Sequence, residues 1–208
     1  MATVILGAAT ILWGAVHSLL AGERAKSAFG RLTGPGWERG YRLAYNLFSV
    51  VSFLPILVLL RMLPDHVIYS VPAPWSFLML AGQATAGVLL LAALLQTGAL
   101  QFAGIRQLFR RLSQSELNTE GFYGLVRHPL YLFGLLFIWL IPVLTMNLLT
   151  LFSLLSIYLF VGASFEERRL LREFGAQYEE YRERTPMIIP RLWGRGAKEA
   201  QDGIQGDA

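Results

Sequence analysis

The sequence predicts an all-α, polytopic membrane protein with five transmembrane helices, an interfacial amphipathic helix and a cytoplasmic C-terminal helix. Only 15% of the 208 residues are charged and 54% are hydrophobic, whereas about a quarter of the residues in a soluble domain are charged. Several apolar stretches reach the roughly 20 residues that a helix needs to cross a bilayer. Lysine and arginine are confined to alternate loops between these stretches. The chain has no cysteine, which excludes disulfides, thiolate metal ligands and a cysteine nucleophile.

The apolar stretches set the number of spans. Three of them are each long enough for one helix and are named TM1 to TM3: Ala2–Ala21, Leu43–Leu60 and Trp75–Gln96. TM1 has no basic residue before its apolar run and no clear cleavage site, so it is predicted to be a span rather than a signal peptide. Leu130–Phe165 is apolar for longer than one span needs, and Pro142 and Thr145-Met146-Asn147 interrupt it. This pattern predicts a helical hairpin, TM4 and TM5.

The basic residues give an independent test of this count. The segments after TM1, TM3 and TM5 hold five, four and eight of the 18 lysines and arginines, and Arg61 alone lies elsewhere. Loops rich in lysine and arginine face the cytoplasm. The chain is therefore predicted to have its N-terminus outside and its C-terminus in the cytoplasm, and its short length suits a bacterial inner membrane.

Two further helices are predicted outside the spans. Residues 100–112, "LQFAGIRQLFRRL", place apolar residues at helical spacing with arginines between them, as in a helix that lies in the membrane interface. Residues 166–190, "EERRLLREFGAQYEEYRERTPMIIP", continue the helical periodicity of TM5 into the cytoplasm as far as Pro186. The Gly-rich tail 194–208 lacks periodicity and is predicted to be disordered.

Polar and aromatic residues form three clusters where chemistry could take place, two at span ends and one on the last helix. Ionisable groups are costly inside a bilayer, so those at span ends carry the most information. The stretch "GFYGLVRHPLYLFG", residues 121–134, carries Arg127 and His128 at the start of TM4. Glu166 and Glu167 end TM5, and Tyr178 and Tyr181 follow on the last helix. A hairpin brings the start of TM4 beside the end of TM5, which predicts that His128 lies near the glutamate pair.

These residue types suit a zwitterionic ligand with a cationic centre, such as S-adenosylmethionine. Carboxylates can bind an ammonium group or ribose hydroxyls, arginine or histidine can bind a carboxylate, and aromatic faces can bind a sulfonium. The alternative is structural: Arg127 reaches the interface, His128 is a satisfied polar residue at a helix start, and the glutamates pair with nearby arginines.

Other site classes fit the sequence less well. The three histidines, His17, His66 and His128, are scattered, which disfavours a metal or two-histidine haem site. His17 is more typical of a hydrogen bond between helices. Gly121 and Gly124 do not follow a strand, so a dinucleotide-binding fingerprint is excluded. The basic residues follow the membrane topology, and no nucleic-acid partner is predicted.

The two polar stretches resemble the isoprenylcysteine carboxyl methyltransferase and phospholipid methyltransferase superfamily of membrane methyltransferases. The shared pattern is approximately G-x-Y-x-x-x-R-H-P-x-Y, a hairpin, then E-E-x-x-L-x-x-x-F-G-x-x-Y-x-x-Y and a closing proline, over about residues 118–190. The N-terminal stretches "HSLLAGERAKSAF" and "YRLAYNLFS", residues 17–29 and 41–49, resemble NnrU-type proteins and bacterial methanethiol S-methyltransferases.

The resemblance implies an S-adenosylmethionine-dependent methyltransferase whose cofactor site lies in the C-terminal half. One wall of that site would be formed by Tyr123, Arg127, His128, Tyr131 and Gly134. Glu166 and Glu167 would hold the polar groups of the cofactor, and Tyr178 and Tyr181 would cover it from the cytoplasm. His128 and Arg127 are the catalytic candidates, and no metal is implied.

The resemblance also divides the chain and defines the acceptor. Residues 1–97 form a three-helix acceptor side, residues 98–193 form the methyltransferase core, and residues 194–208 form the tail. The acceptor would be a small or lipophilic thiol, a prenylcysteine-like carboxylate or a lipid amine that enters from the membrane through a gap lined by TM1 to TM3. Two alternatives stay open: a non-enzymatic NnrU-like transporter or accessory protein, and a reductase.

Overall fold

The computed structural model describes residues 1–34, 37–98 and 117–191, which form a bundle of helices with a short two-stranded sheet at one end. The helices are α1 (Ala2–Ala21), α2 (Glu23–Thr33), α3 (Trp37–Met62), α4 (Trp75–Gln96), α5 (Phe122–Leu125), α6 (Pro129–Trp139), α7 (Met146–Phe174) and α8 (Ala176–Arg184). The strands are β1 (Val67–Ser70) and β2 (Val143–Thr145). The predicted interfacial helix at 100–112 and the tail from residue 194 lie outside the described residues.

Four of these helices are long and apolar enough to cross a membrane: Ala2–Ala21, Gly40–Met62, Trp75–Gln96 and Met146–Phe174. This indicates a multi-pass membrane protein, as the composition predicts. The bounds predicted for TM1 and TM3 match those of α1 and α4, and α3 extends beyond the predicted TM2 at both ends.

The predicted fourth span is shorter than a full transmembrane helix. Helix α6 has 11 residues, which is about 16 Å at 1.5 Å per residue, or about half of a bilayer core. Three residues without helix or strand structure, 140–142, then lead into β2, which pairs antiparallel with β1. Other polar groups satisfy the backbone around it: Val71 N–H donates to Pro142 O, and Gln83 Nε2 donates to Phe137 O. A fifth spanning helix is not confirmed, so the number of five stays a prediction.

Helices α6 and α7 pack mainly against different helices. Helix α6 packs mainly on α4, whereas α7 packs mainly on α1, which also contacts α3. The α1–α7 approach is close because Gly14 faces Tyr158: a Cβ on Gly14 would lie 3.2 Å from Tyr158 Cδ2. Small residues allow such approaches between membrane helices. Buried apolar side chains fill the sheet end of the bundle: Leu6, Ile56, Leu144, Leu151 and Phe152.

The prediction of one long C-terminal helix that continues from TM5 to Pro186 is wrong in one respect, because the helix breaks at Gly175. Helix α7 ends at Phe174, Gly175 adopts φ 55°, and α8 begins at Ala176. Glycine adopts positive φ at little cost because it has no Cβ. The break turns α8 away from the axis of α7, and Tyr178 and Tyr181 of α8 are buried.

At the sheet end, Asp65 connects the segment after α3 to the start of α7 through hydrogen bonds. Its Oδ1 accepts hydrogen bonds from the N–H groups of His66, at 2.9 Å, and Asn147, at 3.0 Å. Burial alone would raise the pKa of Asp65, but hydrogen bonds from Thr145, Asn147 and His66 outweigh it and lower that pKa below its ordinary value. The first N–H groups of a helix have no partner within the helix, so Asp65 acts as a cap supplied by another segment.

Replacing Asp65 by alanine is expected to lower the free energy of unfolding by about 1 kcal/mol, the usual cost of a lost helix cap. Asp65→Asn keeps an acceptor oxygen and is expected to retain most of the stability. Thermal unfolding of both variants in detergent measures the effect. Equal melting temperatures for Asp65→Ala and the wild type would contradict this role.

Candidate active site

The predicted site residues meet at the end of the bundle where α6 begins and α7 ends. All of them except Gly134 are joined by hydrogen bonds or ring contacts: Tyr123, Arg127, His128, Tyr131, Glu166, Glu167, Tyr178 and Tyr181. Gly134 lies on the next turn of α6 after Tyr131.

A glycine turn attaches the start of the motif to α4. Gly121 adopts φ 59°, and a Cβ there would lie 2.2 Å from Nε2 of Gln96. Gln96 accepts a hydrogen bond from the N–H of Phe122 at 3.2 Å and donates one to Glu120 O at 2.8 Å. Glycine suits this position, because other residues adopt this backbone angle only with strain and a Cβ would displace the Gln96 amide from these hydrogen bonds.

The Arg127-His128 pair is also held through its backbone. The N–H of Arg127 donates to Pro186 O at 2.9 Å, and the N–H of His128 donates to Met187 O at 3.0 Å. Pro129 then occupies the first turn of α6, where its missing N–H removes no helical hydrogen bond. The segment after α8 therefore fixes the position from which both side chains extend.

Glu167 is the most heavily bonded side chain of the site. Its carboxylate accepts hydrogen bonds from Arg127 Nε at 2.8 Å and Nη2 at 2.7 Å, a bidentate pair. It also accepts from His128 Nε2 at 3.0 Å and from Tyr178 Oη at 2.7 Å. Arg182 Nε lies 3.4 Å away. The side chain is only 11% exposed, so these partners leave little room for a ligand on this carboxylate.

Arg127 also makes hydrogen bonds with the backbone near the end of α8. Its Nη1 donates to the backbone carbonyls of Arg182, at 3.1 Å, and Thr185, at 2.5 Å. A guanidinium has five N–H groups, and the carboxylate and the two carbonyls account for four of them. Arg127 thus ties α7 to the end of α8.

Tyr178 and Tyr181 are buried within the site. Tyr181 Oη donates to Tyr123 O at 2.6 Å. Burial raises the pKa of Tyr181 to about 12. Burial also raises the pKa of Tyr178, and the hydrogen bond to the Glu167 carboxylate raises it further. Both phenols therefore stay protonated at neutral pH and act as hydrogen-bond donors.

Glu166, in contrast, is available to a ligand. Its side chain is 35% exposed. Tyr131 Oη donates to its Oε2 at 3.0 Å, and the exposed Arg169 donates from Nη2 to its Oε1 at 3.5 Å. His128 Nδ1 lies 3.6 Å from Oε2, beyond hydrogen-bond range. The rings of His128 and Tyr131 stack at 5.2 Å with an interplanar angle of 7°. A carboxylate and two aromatic rings thus share one side of the site.

Two glycines near Glu166 leave space beside α6 and α7. A Cβ placed on Gly134 or on Gly162 would meet no heavy atom within 4 Å among the described residues. Gly134 follows Tyr131 by one turn of α6, and Gly162 precedes Glu166 by one turn of α7. The two glycines therefore extend the Glu166 side of the site along the bundle. We call this space the α6–α7 cleft.

Some residues of the site could not be selected from the sequence. Arg182 reaches Glu167, Gln96 holds the glycine turn, and Thr97 Oγ1 contacts Tyr123 Oη at 2.9 Å. Arg182 directly follows Tyr181, so its place beside a predicted site residue was the available signal. Gln96 and Thr97 end α4 and carried no such signal.

Comparison with known proteins identifies the family. Residues 41–185 match the family described as a protein of unknown function, DUF1295. The chain belongs to the DUF1295 family. No solved structure matches it.

Curated relatives of this DUF1295 chain are named methanethiol S-methyltransferases. Over 190 residues it is 32% identical to methanethiol S-methyltransferase 1 of Bradyrhizobium diazoefficiens. That alignment covers 88% of the chain and 65% of the relative. Over 186 residues it is 31% identical to the methanethiol S-methyltransferase of Crocosphaera subtropica, with 84% and 69% covered. The chain thus spans about two thirds of the length of these relatives. They confirm the predicted resemblance to membrane methyltransferases.

The two glutamates of this DUF1295 protein are expected to respond differently to the same substitution. Glu167→Gln removes the charge that pairs with buried Arg127, and breaking a buried ion pair costs about 3 kcal/mol or more. Glu166→Gln changes a partly exposed carboxylate whose ionic partner, Arg169, is itself exposed, and exposed ion pairs contribute little to stability, so the melting temperature is expected to stay nearly unchanged. Thermal unfolding in detergent compares the two matched variants. Equal destabilisation by both substitutions would contradict the division of roles.

Proposed function

We propose that the protein is an integral membrane methyltransferase that uses S-adenosylmethionine to methylate a small thiol. The observation that carries the proposal is the half-exposed Glu166 carboxylate, which lies beside the stacked rings of His128 and Tyr131 and opens into the α6–α7 cleft. The curated relatives support a methyltransferase and a thiol acceptor.

The residues of the cleft fit the chemistry of this cofactor. An ionised carboxylate binds an ammonium group or ribose hydroxyls by charge-assisted hydrogen bonds. Aromatic faces attract a sulfonium through the ring quadrupole. Glu166 supplies the first kind of group and Tyr131 and His128 supply the second, while Gly134 and Gly162 leave space for the rest of the molecule.

Each residue of the network has a separate task in the proposed reaction. The bound cofactor supplies a methyl group that is already activated by the adjacent sulfonium. Glu166 and Tyr131 bind and orient, Gly134 and Gly162 leave room, and the apolar helices exclude water. Arg127 and Glu167 hold α6, α7 and α8 in register. In this proposal Arg127 positions the site through Glu167, and His128 contributes through its ring face and its Nδ1.

We also propose five membrane crossings, with the site at the cytoplasmic face of a bacterial inner membrane. The segments after α3 and after α6 pair as β1 and β2 at one end of the bundle. At the other end, Gln96 at the end of α4 bonds to Glu120 and Phe122, just before α6. This connectivity supports a crossing by α6 and the segment that leads into β2. The described basic residues that follow α1 and those around and after Glu167 lie at the site end, where a water-soluble cofactor can reach it.

Filling the cleft is expected to abolish cofactor binding. Gly134→Leu places a side chain in the open space between α6 and α7, whereas Gly30→Leu does the same on α2, where a Cβ also meets no described atom within 4 Å. Titration calorimetry with S-adenosylhomocysteine should show binding to the wild type and to Gly30→Leu and none to Gly134→Leu, with similar melting temperatures.

The same preparation decides between the candidate functions. Labelled S-adenosylmethionine is incubated with methanethiol, a prenylcysteine and a phospholipid amine, and transfer to the thiol is expected. Failure of well-folded wild type to bind S-adenosylhomocysteine would contradict the proposal and favour a non-enzymatic transporter or accessory role. Thermal stabilisation by NADPH instead would favour a reductase.

A further inference from the structure

A second polar cluster lies inside the bundle, away from the cofactor cleft. His17 of α1 contacts Tyr45 and Ser49 of α3: Nε2 is 2.5 Å from Tyr45 Oη, and Nδ1 is 2.9 Å from Ser49 Oγ. Polar groups within membrane helices are costly and commonly serve a function. The proposed function above leaves this cluster unused.

The hydrogen bonds define which atom holds each proton. Ser49 Oγ donates its only proton to Tyr45 O at 2.7 Å, so it must accept from His17, and Nδ1 of His17 carries the proton. Nε2 is then the acceptor, and the hydroxyl of Tyr45 donates to it. The Tyr45 oxygen keeps lone pairs that can accept a proton from another molecule. We call this chain of Tyr45, His17 and Ser49 the relay.

Burial disfavours a protonated imidazole, and one neighbour of His17 offsets part of that cost. Trp13 stacks on the imidazole with ring centroids 4.9 Å apart and an interplanar angle of 25°. The face of a tryptophan attracts a cation, and this attraction is strongest when water is excluded. Trp13 is itself held by a hydrogen bond from Nε1 to Ser52 Oγ at 3.1 Å.

An apolar cavity adjoins the relay and shares Tyr45 with it. It has a volume of about 260 Å³ and is lined by Leu20, Phe29, Tyr41, Ala44, Tyr45 and Phe48. Phe29 and Phe48 are also exposed on the surface of the bundle, so the cavity can be entered from the acyl chains. Its lining suits a small apolar molecule with one weakly polar group.

Helix α7 connects this region to the cofactor cleft. Tyr158, Gly162 and Glu166 recur every four residues and lie on one face of α7. The Tyr158 ring lies 6.0 Å from His17, and its Oη is 3.1 Å from Ser18 Oγ. Tyr158 also interacts electrostatically with both Tyr45 and Tyr131. The relay therefore lies beside the helix face that carries the cleft.

We propose that the cavity binds the apolar part of the acceptor thiol and that Tyr45, backed by His17, takes the proton of its S–H group. This proposal rests on the proposed methyltransferase function. The S–H proton passes to the Tyr45 oxygen while the hydroxyl proton of Tyr45 passes to Nε2 of His17, which leaves a thiolate and an imidazolium. The thiolate sulfur bonds to the methyl carbon as the carbon–sulfonium bond breaks, and that electron pair stays on the donor sulfur. The imidazolium then releases its proton to solvent.

Removing the Tyr45 hydroxyl should slow thiol methylation without weakening cofactor binding. Proton transfer by a positioned side chain contributes on the order of 100-fold or more, so Tyr45→Phe and His17→Gln are each expected to lower kcat by about that factor. The loss should shrink as pH rises and with aromatic thiols, which ionise more readily. Tyr69→Phe is the matched control, because its hydroxyl donates to Ile141 O far from the relay.

The pH profile reports on the relay because its charged and titratable neighbours are retained. Among the described residues, the titratable groups that face Tyr45 and His17 are Tyr41 on α3 and Tyr158 on α7. Glu23 on α2 lies near Tyr41. All three remain in Tyr45→Phe and in His17→Gln. A helix–helix hydrogen bond with only a structural role would change the melting temperature and leave the shape of the profile unchanged.

The cavity has its own test, which needs no turnover. Ala44→Trp fills the cavity and is expected to weaken the binding of ethanethiol at least tenfold, as followed by ligand-observed NMR without cofactor. Leu47→Trp, on the exposed face of α3, is expected to bind ethanethiol as the wild type does. Equal ethanethiol binding by both variants would overturn the assignment of the cavity.

The outcomes separate this inference from the function on which it rests. If the wild type binds no S-adenosylhomocysteine, the methyltransferase proposal fails. If the wild type binds it and methylates a thiol, but Tyr45→Phe matches Tyr69→Phe in rate at every pH, the function stands and the relay is overturned.

Discussion

The buried carboxylate of Glu167 is the interaction on which the site depends. Arg127, His128 and Tyr178 all donate to it, so one side chain of α7 fixes the start of α6 and the face of α8. A carboxylate this enclosed is stable only while its cationic partner is present. The network therefore orders three elements together and leaves Glu166, the preceding residue, partly exposed and able to bind a ligand.

Consecutive glutamates can have such different environments because neighbouring positions on a helix point about 100° apart. Glu167 faces the turn that Gly175 introduces, and Glu166 faces α6 and the cleft. The sequence predicts that both lie near His128, because a hairpin returns α7 to the start of α6. It does not predict which one is enclosed, because that depends on the rotation of α7 about its axis and on the direction of α8 after Gly175.

Elements of the fold that depend on local sequence are also easier to predict than those that depend on distant contacts. The three separate apolar stretches predict α1, α3 and α4 well, since length and hydropathy alone define them. The fourth crossing is less predictable, because Val143–Thr145 forms a strand by pairing with β1, more than 70 residues earlier. His17 was predicted to form a hydrogen bond between helices, and it does, but its partners Tyr45 and Ser49 depend on how α1 and α3 face each other.

The most direct test of the account is an experimental structure of the wild-type protein with S-adenosylhomocysteine bound. The account predicts that the ligand lies in the α6–α7 cleft, with its ammonium or ribose hydroxyls within hydrogen-bond distance of Glu166 and with Glu167 still paired to Arg127. A ligand bound elsewhere, or one that displaces Arg127 from Glu167, would contradict it.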